Sequence, residues 1–397
     1  MNKGTRTPAE GHAIDDAGPQ PLLVVNHLAV DYITAGKAPA HALEDVSFAL
    51  RKGEVLGVVG ESGCGKTTLM LSLMRLLPAA GRIVGGQILL NGVDLLDYSE
   101  RAMQQVRWRQ ISMIFQGAMN ALNPVRTVGN QIAEPIAYHA VPVGGVRLPY
   151  TRHSATSDPY GNAAETSASR VPATVKGTDP TRTIGSQIAD AIVAHEPIGD
   201  KRVLRARVAE LLDLVGINPN RQDEYPHQYS GGMRQRAMIA MALACDPAII
   251  IADEPTTALD VMVQAQILEL LTDLCRTLGL SVLFVTHDLG VVAEICDSVL
   301  VMYGGVVAEY SDVDTVYNAP RHPYTQELLK AFPDLSRPEE RLQAIPGYPP
   351  RLDALPAGCR FAPRCPAAFA RCHVERPPLY HLGEFHEVSC HLVDPEA

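Results

Sequence analysis

The chain is 397 residues long, with 46% apolar and 20% charged residues and a formal net charge of −10. That length allows two or three domains, and the composition is that of a folded globular protein. The acidic balance argues against general nucleic-acid binding, and no uncharged apolar run approaches the ~18 residues that a spanning helix needs.

Residues 1–20 have no apolar stretch of the kind a secretory signal carries, and they read as a disordered tail. This predicts a cytoplasmic protein, attached to a membrane only through a partner. LLVVNHLAVDYI and HALEDVSFAL then alternate apolar and polar residues as short strands, with RKGE at 51–54 as a turn. The apolar run VLGVV predicts a strand over Val55 to Val59, and GESGCGKTT follows it directly. A helix is expected to start near Lys66. In GQILLNGVDLL, Asn91-Gly92 marks a hairpin turn.

Residues 140–178 are rich in Gly, Ser, Thr, Ala and Pro and read as a loop or disordered insertion. An internal repeat flanks them. NPVRTVGNQIAEPIAYH (123–139) matches DPTRTIGSQIADAIVAH (179–195) at nine of 17 positions, the mark of a partial tandem duplication. Further on, PAIIIADEP and SVLFVTHD are apolar runs short enough to be buried parallel strands. Between them VMVQAQILELLTDLCRTLG has helical periodicity and a terminal glycine. Strand and helix alternate as in an α/β fold with a mainly parallel sheet.

The chemistry concentrates at the ends of these strands. GESGCGKT meets the pattern G-x-x-x-x-G-K-[ST] in its strand–loop–helix context. Backbone N–H groups of such a loop form a concave anion site, Lys66 places a charge on the β- and γ-phosphates, and the Thr67 hydroxyl can ligate Mg²⁺. Gly60, Ser62, Gly63, Cys64, Gly65, Lys66, Thr67 and Thr68 are therefore expected to cradle a nucleoside triphosphate. Asp253 and Glu254 end an apolar strand, where the first can hold Mg²⁺ and the second can deprotonate an attacking water. Gln116 and His287 each follow a buried strand, at the edge where α/β ligands bind. Ser230, Gly231 and Gly232 open a helix in YSGGMRQR and form a second anion site. Tyr32, in an early strand, can stack on a base. Singly, these readings compete with bland ones: a solvated strand end, a Gly-Gly helix cap, a structural histidine, an ordinary strand surface.

Taken together, the set resembles the ATP-binding subunit of ABC transporters. GESGCGKT looks like Walker A, IIIADE like Walker B and YSGGM like the signature. Gln116, TALD at 257–260 and His287 look like the Q-, D- and H-loops, and Tyr32 like the aromatic A-loop residue. The resemblance implies a P-loop NTPase fold: a RecA-like parallel core, an antiparallel β subdomain and a helical subdomain at about 117–240, all within 21–335. It also implies an ATPase in which Glu254 is the catalytic base, His287 stabilises the transition state, Gln116 senses Mg²⁺ and water, and Asp260 crosses a head-to-tail dimer interface. Thr67, Gln116 and Asp253 would hold Mg²⁺. The insertion and repeat depart from the family where its helical subdomain contacts membrane subunits.

The tail narrows the resemblance. HPYTQELL (322–329), IPGYPP and PAGCRFAPRCPAAFARC are similar to the C-terminal region of oligopeptide/dipeptide importer ATPases, a region that nickel importers share in related form. The implied partners are two transmembrane permeases, a second ATPase (a copy or a paralogue) and an extracytoplasmic solute-binding protein, with no nucleic acid. The implied place is the cytoplasmic face of the membrane. A soluble ABC ATPase acting on nucleic acid or ribosomes is the competing reading, disfavoured by a single Walker A and the acidic charge. Within 336–397, Cys359, Cys365, Cys372 and Cys390 offer four thiolates. These suit structural Zn²⁺ or an iron–sulfur cluster, or they pack as reduced thiols. The absence of a C-x-x-C pair weakens the zinc reading, and the resemblance favours a [4Fe–4S] cluster. His373, His381, His386 and His391 are expected at the surface.

Overall fold

The computed structural model describes residues 21–115, 122–123, 126–139, 201–257, 259–331, 344–383 and 385–395. Gln116, the 140–178 insertion and the second repeat copy lie outside the described residues, as does Ala258 of TALD.

Two sheets organise the chain. In the first, β1 (Leu23–Tyr32), β2 (Ala40–Leu50), β4 (Gly81–Leu90) and β5 (Val93–Asp94) pair antiparallel in the order β2-β1-β4-β5. Asn91 and Gly92 both have positive φ, as the hairpin turn read from the sequence requires. The second sheet has the order β11-β12-β10-β9-β3-β8-β7-β6. Its core of β9 (Ser298–Tyr303), β3 (Val55–Val59), β8 (Ser281–Val285), β7 (Ile249–Asp253) and β6 (Ile111–Ile114) is parallel. β10 (Val306–Asp312), β12 (Glu387–Val388) and β11 (Tyr380–His381) continue it antiparallel. The last segment of the chain thus extends the core sheet.

β3, β7 and β8 are buried along their whole length, because both faces of a parallel sheet are covered. On one face Ile249 and Ile251 pack with Leu69, Met70 and Leu73 of α1 (Lys66–Leu73) and with Leu23, Val25 and Leu28 of the first sheet; α2 (Glu100–Val106) adds Met103 and Val106. The intervening Ile250 faces the other way, into a helical layer. That layer comprises α3 (Val128–Tyr138), α4 (Lys201–Leu214), α5 (Gly231–Ala242) and α6 (Val261–Leu278). α3 is the first repeat copy, and Val128, Ile132 and Ile136 fix it in the core. A third cluster joins β9 to α7 (Leu289–Ile295), α8 (Val313–Asn318) and α9 (Pro323–Lys330), and Phe361 of the tail sits within it. A short α10 (Ala370–Val374) lies among the tail cysteines.

Candidate functional site

The parallel strands deliver their carboxyl ends to one edge, and the phosphate-binding candidates stand there. β3 ends at Val59, and the loop turns through Gly60, at φ 148°, and Gly65, at φ 109°. A side chain at Gly60 would put its Cβ 2.2 Å from the Met302 carbonyl oxygen, so this crossing admits only glycine. Gly65 caps α1, as the expected start near Lys66 requires. The Lys66 ammonium is folded over the loop and donates to the carbonyls of Gly60 at 2.6 Å and Glu61 at 3.1 Å. Ser62, Gly63 and Thr67 are exposed on its outer side, while Cys64 is buried. Burial pushes the Cys64 thiol pKa up against the pull of Lys66. Tyr32, at the end of β1, puts its hydroxyl 3.4 Å from Thr68 Oγ1 on the first turn of α1. The aromatic candidate therefore flanks the loop.

Asp253 is the last residue of β7 and is 5% exposed. Burial, reinforced by the neighbouring Glu254, pushes its pKa up to about 6 against the attraction of Lys66. Glu254 has a left-handed backbone, φ 45°, which turns it away from the strand direction. Its N–H is fixed by the Val285 carbonyl at 2.9 Å. Burial raises its carboxyl pKa, but hydrogen bonds with Thr257 and His287 outweigh that, and the net pKa is below the ordinary value. Thr257 Oγ1 donates to Oε2 at 2.9 Å, and His287 Nδ1 lies 3.1 Å from Oε1. Two adjacent carboxyls are thus pushed in opposite directions, the mark of paired groups with different tasks. Sequence reasoning missed Thr257 as the group that orients Glu254; its place three residues downstream was the available signal.

Other candidates stand apart. Ser230 caps α5, accepting from Met233 N–H at 3.3 Å, and opens the helical layer rather than the strand edge that carries Lys66. Asp260 caps α6, accepting from Val263 N–H at 3.0 Å. Val261 and Met262, directly after it, are 81% and 73% exposed.

In the tail, Cys359, Cys365, Cys372 and Cys390 line one small cavity together with His322, Phe361 and His391. All four are free thiols. Burial raises the pKa of Cys359, Cys365 and Cys390, the last to about 11. Among the described residues no three His, Cys, Asp or Glu side chains gather closely enough to hold a single metal ion. His391 corrects the expectation of surface histidines: it is 1% exposed. Its Nε2 lies 3.0 Å from the Glu375 carbonyl oxygen, and its Nδ1 is buried with no hydrogen-bond partner. Burial follows from its place beside Phe369 and the cysteines, contacts that form only when the tail folds.

Residues 43–257 match the family model described as ABC transporter, and residues 308–372 match that of the oligopeptide/dipeptide transporter C-terminal region. The chain is 40% identical to the oligopeptide transport ATP-binding protein AppD of Bacillus subtilis, covering 94% of this chain and 98% of that one. It is 39% identical to the dipeptide transport ATP-binding protein DppD of Escherichia coli, covering 93% and 96%. Among solved structures, the ATP-binding cassette MJ0796 in a dimeric post-hydrolysis state with ADP and Pi superposes with a TM-score of 0.53 at 22% identity, over 73% of this chain and 98% of that one. CbiO1 of Clostridium perfringens gives 0.53 at 23% identity, over 75% and 91%. Those two likenesses confirm the fold read from the motifs. The chain belongs to the ABC transporter ATPases, with the C-terminal region of the oligopeptide/dipeptide transporters.

Proposed function

We propose that this chain is the ATP-hydrolysing subunit of an importer for di- and oligopeptides, seated at the cytoplasmic face of the membrane on two permease subunits. The observation that carries the reading is the joining, in one folded unit, of an ATP-binding cassette to the C-terminal region of the oligopeptide/dipeptide transporters. Relatives of near-equal length are named for oligopeptide and dipeptide transport. Among the described residues no helix is long and apolar enough to cross a membrane.

In this reading the P-loop N–H groups and Lys66 hold the ATP phosphates, and Tyr32 faces the base. Thr67, Gln116 and Asp253 are the residues to hold Mg²⁺. Asp253 suits it, since a buried carboxyl with a raised pKa gains from a nearby cation. When bound, the ion offsets phosphate charge. Glu254, ionised and aimed by Thr257 and His287, takes the proton of the attacking water, and His287 donates to the charge that develops. Ser230, Gly231 and Gly232 complete the site of a partner ATPase, and Asp260 meets that partner.

The tail is proposed to hold a [4Fe–4S] cluster on Cys359, Cys365, Cys372 and Cys390. Four thiols on one cavity supply the donor set, and the unpartnered His391 Nδ1 marks a cavity wall suited to a bound group. The choice of a cluster over Zn²⁺ rests on the spacing of the four cysteines, which contain no C-x-x-C pair. Anaerobically purified protein should contain iron and acid-labile sulfide; a preparation without either removes the cluster.

The function itself is tested by mild-detergent pull-down of the tagged chain from its own membranes, followed by mass spectrometry. Two permeases, a second ATPase and a solute-binding protein that takes peptides are the expected recovery. A binding protein that takes nickel overturns the substrate, and ribosomal partners without a permease overturn transport.

A further inference from the structure

The P-loop is gripped from outside by the C-terminal segment. Glu61, the second residue of GESGCGKT, receives a bidentate ion pair from Arg364, with Nη1 at 2.5 Å from Oε2 and Nη2 at 3.0 Å from Oε1. The Arg364 side chain is 5% exposed. It also donates to the carbonyls of Pro346 and Ile345 and to the Tyr303 hydroxyl. The backbone N–H of the same Glu61 donates to the Tyr324 hydroxyl at 2.9 Å. Tyr324 is fully buried, its ring 4.6 Å from that of Tyr303 and 5.4 Å from that of Phe361. A second strut reaches the far side of the loop. The buried guanidinium of Arg360 binds the Gly304 carbonyl and Glu44, and the adjacent Gly305 N–H donates to the Cys64 carbonyl at 2.9 Å.

We infer that Arg364 and Tyr324 are positioning residues for ATP binding, and that the C-terminal segment acts as an outer wall of the nucleotide site. The inference rests on the P-loop being that site. The reasoning runs through Lys66, whose ammonium is held by the carbonyls of Gly60 and Glu61. Fixing Glu61 by both its side chain and its N–H therefore fixes the frame on which Lys66 and the anion-binding N–H groups are hung. Neither brace touches the strand edge that carries Glu254 and His287, so the braces govern how well ATP is held more than how fast it is cleaved.

The test uses the full chain, with equilibrium binding of Mg-ATP and steady-state ATPase assays. Tyr324→Phe keeps the packed ring and removes only the hydroxyl; Arg364→Ala removes the ion pair. Kd and KM for ATP should rise about threefold in the first and about tenfold in the second, with kcat within about twofold, as expected for a buried neutral hydrogen bond and a charged one. Arg364→Lys should recover part of the loss. Arg371→Ala, which breaks ion pairs to Glu375 and Asp394 inside the tail, should leave ATP affinity unchanged. Wild-type affinity in folded Tyr324→Phe and Arg364→Ala overturns the inference, as does an equal loss in Arg371→Ala. Lys66→Ala keeps the two readings apart: if that variant still binds ATP, the P-loop assignment has failed and not the brace alone.

Discussion

At the start of α9 the capping group is an imidazole. His322 Nδ1 accepts the Tyr324 N–H at 2.9 Å, Pro323 takes the first helical position, and the His322 N–H is bound by Glu309 at 3.0 Å. Accepting at Nδ1 requires that nitrogen to be unprotonated. Burial pushes the His322 pKa down to about 4, against the pull of Glu309 and a backbone hydrogen bond at Ser389. The folded pKa lies below the ordinary 6.5, so the unfolded chain binds the proton first as pH falls. His322 therefore contributes stability that is full above pH 6.5 and is lost as pH falls toward 4, about 3 kcal/mol at most. His139, with its pKa also lowered to about 4 by burial, adds a loss of the same sign. His322→Asn keeps a capping oxygen but does not titrate. Denaturant unfolding at pH 7, 5.5 and 4.5 should show a shallower decline for the variant than for wild type. Parallel declines would mean that the cap does not carry the pH dependence.

Elements were legible where local pattern and burial agree. β3, β7 and β8 announced themselves as continuous apolar runs because a parallel strand is covered on both faces. α6 showed its periodicity, and Gly279 ends it at φ 60° as the terminal glycine suggested. Lys66, Asp253, Glu254 and His287 could be read from sequence for a related reason: strand ends mark the ligand edge of a parallel sheet. The first sheet was less plain. What read as several short strands is two long ones, β1 and β2, whose alternation slips at register shifts near His27 and Asp45, both at positive φ. β11 and β12 were invisible, since two-residue strands have no period and exist only by pairing, β12 onto β10 and β11 onto β12. The brace on Glu61 was hidden in the same way. Its donors lie 303 residues away at Arg364, and its acceptor 263 residues away at Tyr324. HPY was recognisable as a family tail, but its physical content — a cap, a helix start and a hydroxyl for the P-loop — appears only when the tail folds back.

On the scale of the whole molecule, the two candidate anion sites stand on different layers of the fold. Lys66, Asp253, Glu254 and His287 gather at the strand edge, while Ser230 opens α5 in the helical layer. Val261 and Met262 stand largely exposed just after Asp260, an apolar pair that a partner would cover. In the proposed head-to-tail pair of ATPase subunits, Ser230 of each would meet the P-loop of the other, with ATP joining the halves. If so, blocking hydrolysis without blocking ATP should trap the pair. Glu254→Gln keeps the hydrogen-bonding shape of the side chain but cannot take a proton. Its turnover should fall at least about a hundredfold, the ordinary contribution of a general base, with ATP affinity retained. Light scattering should then show a dimer in Mg-ATP and a monomer without it. Where the second ATPase is a paralogue, the ATP-dependent dimer forms on adding that subunit. Adding Met262→Lys should return the trapped species to monomer by placing a charge in the apolar contact. Undiminished turnover in Glu254→Gln removes the general-base role. Normal ATP binding with no dimer, with or without the second subunit, removes the composite site and leaves Ser230 as a helix cap alone.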